Sequence, residues 1–198
     1  MQSKTKTLIT NMWYYYLSLE SDLEKATQYI EPRGQEKVYS IEFHKLIVLA
    51  CVAAESSFKL LMECSGIKID KKEELTISQY KGFMLNKYPQ IVNAKVNVMR
   101  WGKEIKPFEC WKSDKKPSRL SWWDAYNSVK HNKDQNFSKA TYENAAFAIS
   151  AVHLLTLYCA AAYKVSVQSE RATCITSEYC SSYICGSPSQ MLPDFNKC

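Results

Sequence analysis

The chain has 198 residues, of which 46% are hydrophobic and 13% aromatic, a composition that excludes a disordered chain and allows one domain with a sizeable core. Only 5 Gly and 6 Pro leave few chain breaks, which disfavours an architecture of many short strands. The formal charge is +6, and residues 100–139 carry ten Lys/Arg against five Asp/Glu, so this segment holds nearly all of the excess. A local positive field suits a phosphate-rich partner, although a solvated basic loop has the same composition.

Residues 5–31 read as a first helix, with Leu8, Met12, Tyr15, Tyr16, Leu19 and Leu23 on one face, and "EPRGQ" breaks it. Lys4 and Lys6 precede an apolar run here, but Asn11 interrupts it and no small-residue cleavage site follows, so a secretory signal is not expected. Residues 38–64 form the clearest helix: Phe43, Leu46, Ile47, Ala50, Ala54, Phe58 and Leu61 recur at helical spacing, and Gly66 is the expected stop. Residues 75–88 predict a shorter helix closed by Pro89. Between Ile91 and Phe108 apolar and polar residues alternate, and one short β hairpin is allowed there.

A basic connector, "WKSDKKPSRLS", leads to a helix for which Ser121 is the expected N-cap. Ser138 is the expected cap of a long apolar helix at 139–163. The run 145–163 approaches the length of about 20 residues that crosses a membrane. It contains His153 and many alanines, and it reads as a central bundle helix rather than a span. The expected architecture is mainly all-α: a helical domain at 1–165 and a Cys/Ser-rich tail at 166–198 without periodicity.

Eight cysteines occur, with no C-x-x-C pair. Cys51 and Cys159 sit in apolar helical runs, and Cys174, Cys180, Cys185 and Cys198 are irregularly spaced in the tail. Neither a metal site nor a cofactor is expected from these spacings, and the thiols read as reduced and cytoplasmic.

The stretch "WWDAYNSVKHNKD", residues 122–134, carries the most chemistry. At about 100° per residue, Trp122, Ala125, Tyr126 and Val129 fall on one side of a helix. Asp124, Asn127 and His131 fall on the other, so an acid, an amide and an imidazole share a polar face. His131 suits acid–base work near neutral pH, and it equally suits a solvated helix end. Trp111, Trp122 and Trp123 can stack on bases or pack in the core. Glu55 interrupts an apolar run on the neighbouring helix. It reads either as a second acid oriented toward His131 or Lys130, or as an i,i+4 ion pair with Lys59.

Trp123, Tyr126, Asn127, Val129, Lys130 and His131, followed by Phe137 and a long apolar helix, resemble the HEPN superfamily (higher eukaryotes and prokaryotes nucleotide-binding), in particular bacterial members with a W-x-x-Y-N-x-V-K-H signature. "IEFHKLIVLACVAAESSFKLL" at 41–61 and "IKPFECW" at 105–111 are similar to that family's neighbouring helix and connector, and the likeness covers about 38–163. The resemblance implies an all-helical, homodimeric domain. It implies a metal-independent endoribonuclease, or a degenerate one, in toxin–antitoxin or phage-defence biology. Such a domain binds RNA or a nucleotide in the cytoplasm, with an antitoxin or defence-system partner and no membrane.

The family's motif is an arginine, four to six intervening residues, and then its histidine. Here the positions open to that arginine are Tyr126, Ala125 and Asp124, and none is arginine. By the resemblance His131, Asn127, Lys130 and Tyr126 occupy the catalytic positions. Arg119, Lys115, Lys116 and Lys133 would bind phosphate, and Glu55 and Asp124 would stand behind them. A non-catalytic nucleic-acid or nucleotide-binding module, or a protein-interaction module, is the alternative.

Overall fold

A computed structural model describes residues 2–70, 74–112, 119–131, 133–167 and 175–176. The chain is mainly helical, as expected. Its helices are α1 (Gln2–Ala26), α2 (Ile41–Cys64), α3 (Ile77–Lys87), α4 (Ser121–His131), the short α5 (Lys133–Asn136) and α6 (Tyr142–Ala162). Two strands, β1 (Val96–Val98) and β2 (Lys103–Ile105), form the expected hairpin.

The core is built around α6, which packs against α2, α1 and α4. Its sequence is long and apolar enough to cross a membrane, but 89% of that window is buried within the fold. An apolar surface all round is what a helix enclosed by three neighbours requires. On α2 the buried residues include Phe43, Leu46, Ile47, Ala50, Ala54, Phe58 and Leu61, the stripe that the periodicity marks out.

The ends of α2 follow local chemistry. Ser40 is its N-cap, its side chain accepting from the Phe43 N–H. At the other end Gly66 takes φ +81°, a backbone conformation that a Cβ would strain. The Ile67 N–H donates to the Met62 carbonyl and the Gly66 N–H to the Glu63 carbonyl, both at 3.0 Å, the Schellman pattern that satisfies the last carbonyls.

Three boundaries differ from the sequence reading. The first helix ends at Ala26 rather than at 31. The chain turns at Thr27, whose carbonyl accepts a 2.8 Å hydrogen bond from the Arg100 guanidinium. Leu120, not Ser121, precedes α4: its carbonyl accepts from the N–H groups of Trp123 and Asp124 at 3.1 and 2.9 Å. Thr141, not Ser138, caps α6, accepting from the Asn144 N–H at 3.2 Å, while Ser138 lies in a 3₁₀ turn over Phe137–Lys139.

The segment read as a tail contributes a third strand, β3 (Ile175–Thr176), antiparallel to β1 on the edge opposite β2. In the hairpin Val96, Val98 and Ile105 face the core while Asn97 is exposed, the alternation of a half-buried sheet. The tail cysteines lie outside the described residues.

Candidate functional site: a cationic cleft beside α4

Aromatic packing fixes the position of α4. Phe58 of α2 stacks on Tyr80 of α3 at 4.8 Å and meets Phe108 edge-on at 6.3 Å. Phe108 meets Trp122 edge-on, and Trp122, Trp123 and Tyr126 continue the series with centroid separations of 5.6 Å. The Trp122 indole N–H donates to the Pro107 carbonyl at 3.1 Å, so its one polar atom is satisfied in the core. Trp111, Trp122 and Trp123 are all buried, so they are first of all packing residues.

With that face buried, α4 presents Asp124, Asn127 and Ser128 to a cleft of about 910 Å³. Three cations from separate segments meet them there: Lys81 of α3, Arg119 just ahead of α4, and Lys139 between α5 and α6. Leu120, Trp111 and Trp123 supply its apolar lining. Lys139 is held in place by a 2.8 Å hydrogen bond from its ammonium to the Ser128 hydroxyl. Among the described residues that line the cleft Asp124 is the only acid, so their net charge favours an anion. Burial pushes the nearby Cys110 thiol up, with Asp124 and Glu109 adding to the shift and Lys81 opposing it. That thiol is therefore protonated at neutral pH and is a poor nucleophile.

The residues singled out in the sequence divide into groups. Arg119, Asn127 and Asp124 line the cleft. His131 is exposed at the last position of α4, on the helical face of Asp124 and Asn127 but one turn beyond the lining residues. Tyr126, in the arginine's place, is only 6% exposed and belongs to the core. Lys130 is exposed, and its ammonium sits 5.4 Å above the Tyr126 ring in a cation–π contact. Glu55 pairs with Lys59 at 3.1 Å, the local i,i+4 alternative. It also lies beside Tyr80, whose phenol is held up mainly by burial and further by that carboxylate. Lys115 and Lys116 lie outside the described residues, as does the side chain of Lys133.

Lys81, Lys139 and Ser128 were not singled out by sequence. Lys81 sits in a different helix, 38 positions before Arg119, and no short-range pattern links the two. Among the described residues no group of three or more His, Cys, Asp or Glu stands close enough to hold a metal ion. No family model matches the chain, and neither do the curated proteins or the solved structures.

Proposed function

We propose that this chain is a HEPN-like, phosphate-recognising domain that binds RNA or a nucleotide in the cleft beside α4. The observation that carries this reading is the convergence of Lys81, Arg119 and Lys139 on Asn127 and Ser128. Three cations and two neutral donors satisfy phosphate oxygens, and the indole surfaces beneath offer an apolar wall to a base or sugar. The test is binding of a fluorescently labelled single-stranded RNA across a salt series. Log affinity should fall against log salt with a slope of about −2 if all three cations meet phosphates, at about −0.7 per contact. Affinity that does not change with salt sinks the reading.

A second reading, a metal-independent endoribonuclease effector in toxin–antitoxin or phage-defence biology, is favoured by His131 on the face of Asn127. His131 takes the proton of an RNA 2′-OH as that oxygen attacks phosphorus. The 5′-oxygen leaves and takes a proton from solvent water, giving a 2′,3′-cyclic phosphate and a 5′-OH. Arg119 and Lys139 stabilise the negative charge on the phosphoryl oxygens, in the role that Tyr126 cannot fill. Cleavage in the presence of a chelator, lost in His131→Ala, separates this reading from binding alone.

Both readings include a cytoplasmic homodimer whose two α4 faces share one cleft, with an antitoxin or defence-system partner. A monomer in sedimentation at micromolar concentration removes the shared cleft and leaves the cationic site in each chain.

A further inference from the structure

The cleft beside α4 shares Arg119 and Leu120 with a second concavity of about 330 Å³. This concavity forms where the chain leaving β2 meets the start of α4 and the side of α6. Lys106 and Pro107 follow β2, Ser121 and Trp122 open α4, and Phe147 comes from α6.

Three observations join the two concavities into one track. The first is charge. Lys106 adds a cation, and the acid beside it does not cancel it. The Glu109 carboxylate lies 3.5 Å from the Lys106 ammonium and 3.4 Å from that of Lys112, so two cations share one acid and an excess of positive charge remains. Arg119, at the junction, is exposed and has no acid within ion-pairing distance among the described residues. The second is surface. Phe147 is partly exposed, and its ring is held edge-on against Trp101 at 6.3 Å. A part-exposed ring beside cations is the pairing on which single-stranded nucleic acids stack. The third is extent. The α4 residues that line the two concavities run from Ser121 to Ser128, seven positions apart. That is about 10 Å of helix at about 1.5 Å per residue, the rise of about three stacked nucleotides at about 3.4 Å each.

We propose that the ligand is a single-stranded RNA segment of about three or more nucleotides rather than a free nucleotide, with Lys106 and Phe147 forming a second subsite beyond Arg119. The inference rests on the phosphate-recognising reading of the cleft and extends it. A free nucleotide carries one base and one phosphate group, so it occupies the cleft and leaves the second concavity empty. A strand places one phosphate among Lys81, Lys139 and Ser128, a later one at Arg119, and another at Lys106 with a base against Phe147.

The test is competition against fluorescently labelled hexauridylate, read by anisotropy, with uridine monophosphate and tetrauridylate as competitors. Tetrauridylate should compete at least about tenfold better than the mononucleotide, more than its several equivalent nucleotides give by statistics. Lys106→Ala should weaken tetrauridylate by about 3- to 10-fold, lower its salt slope by about 0.7, and leave the mononucleotide unchanged. Its Tm should stay close to wild type, because the side chain is at the surface and Glu109 keeps Lys112. Phe147→Leu should weaken tetrauridylate at least about fivefold, the lower end for one stacked base. Equal affinity for the two competitors overturns the second subsite and leaves the phosphate reading standing. Wild-type tetrauridylate affinity in Lys106→Ala overturns it too, as does an equal loss for both competitors in that variant. Hexauridylate that does not bind even at low salt overturns both, because neither depends on base identity.

Discussion

Helices α4 and α6 each carry one histidine, and the two side chains live in opposite surroundings. His131 ends α4 in solvent, beyond a cleft lined by cations. His153 lies at 0% exposure in the middle of α6, with the ring of Tyr16 at 4.8 Å and that of Trp13 at 5.9 Å. Burial pushes the His153 pKa down to about 3, so it is a neutral core residue at physiological pH. The difference comes from helix packing. A helix enclosed on all sides turns every position into core, whereas a helix packed on one side keeps a polar face for chemistry. A histidine near the middle of an apolar helix is thus a stability element, and one at the end of an amphipathic helix is free to meet a ligand.

The comparison can be broken most directly on the buried side. Trp122 is 0% exposed and anchored to Pro107, so Trp122→Ala should cost about 3–5 kcal/mol in urea unfolding and carry the cleft away with it. A loss under 1 kcal/mol would mean that α4 is not held by this face.

Acid is the next lever. The folded pKa of His153 lies below the ordinary value of about 6.5, so its contribution is complete above pH 6.5 and is lost as pH falls toward 3. Unfolding free energy should drop by up to about 1.4 kcal/mol per pH unit in that window. His153→Phe should flatten this slope between pH 6.5 and 4. An unchanged slope would assign the acid sensitivity to other groups.

Tyr126→Arg sharpens the contrast within α4 itself. It restores the charge that the motif lacks, but at a buried position against Trp123 and beneath the Lys130 ammonium. The expected result is destabilisation by at least about 2 kcal/mol, from lost aromatic packing and a like charge, with no gain in cleavage. A stable variant with faster cleavage would show that the helix can turn this position outward.

The open face should respond in binding and hardly at all in stability. Lys81→Ala and Lys139→Ala should each reduce the salt slope of RNA binding by about 0.7 and weaken affinity. His131→Ala should leave stability within about 0.5 kcal/mol, the usual range for a surface substitution, while ending any cleavage. If His131→Ala unfolds the protein instead, the end of α4 is structural and the contrast with α6 fails.

Much of the fold was legible before any coordinates. The stripe of Phe43, Leu46, Ala50, Ala54 and Phe58, the hairpin alternation and the stop at Gly66 all depend on neighbours within a few residues. The split of α4 into a Trp122–Tyr126 face and an Asp124–Asn127 face follows from the same 3.6-residue period. Ser138 and Ser121 are good capping residues by type, but α4 starts after Leu120 and the start of α6 is set by a backbone partner elsewhere in the chain. Thr141 caps α6 where residues 36–40 lie alongside, with the Tyr142 N–H donating to the Val38 carbonyl at 2.9 Å and Tyr39 bridging to Thr141.

Amino-acid order alone determined the helical class, the core stripes and the polar face that holds Asn127 and His131, because each is a short-range periodic property. Tertiary structure alone decided which cations share that face. Lys81, Arg119 and Lys139 are far apart in sequence, and they meet because Phe58, Tyr80, Phe108 and Trp122 lock α2, α3 and α4 together. It also decided that Tyr126 is core, since burial depends on which neighbours arrive from elsewhere in the chain.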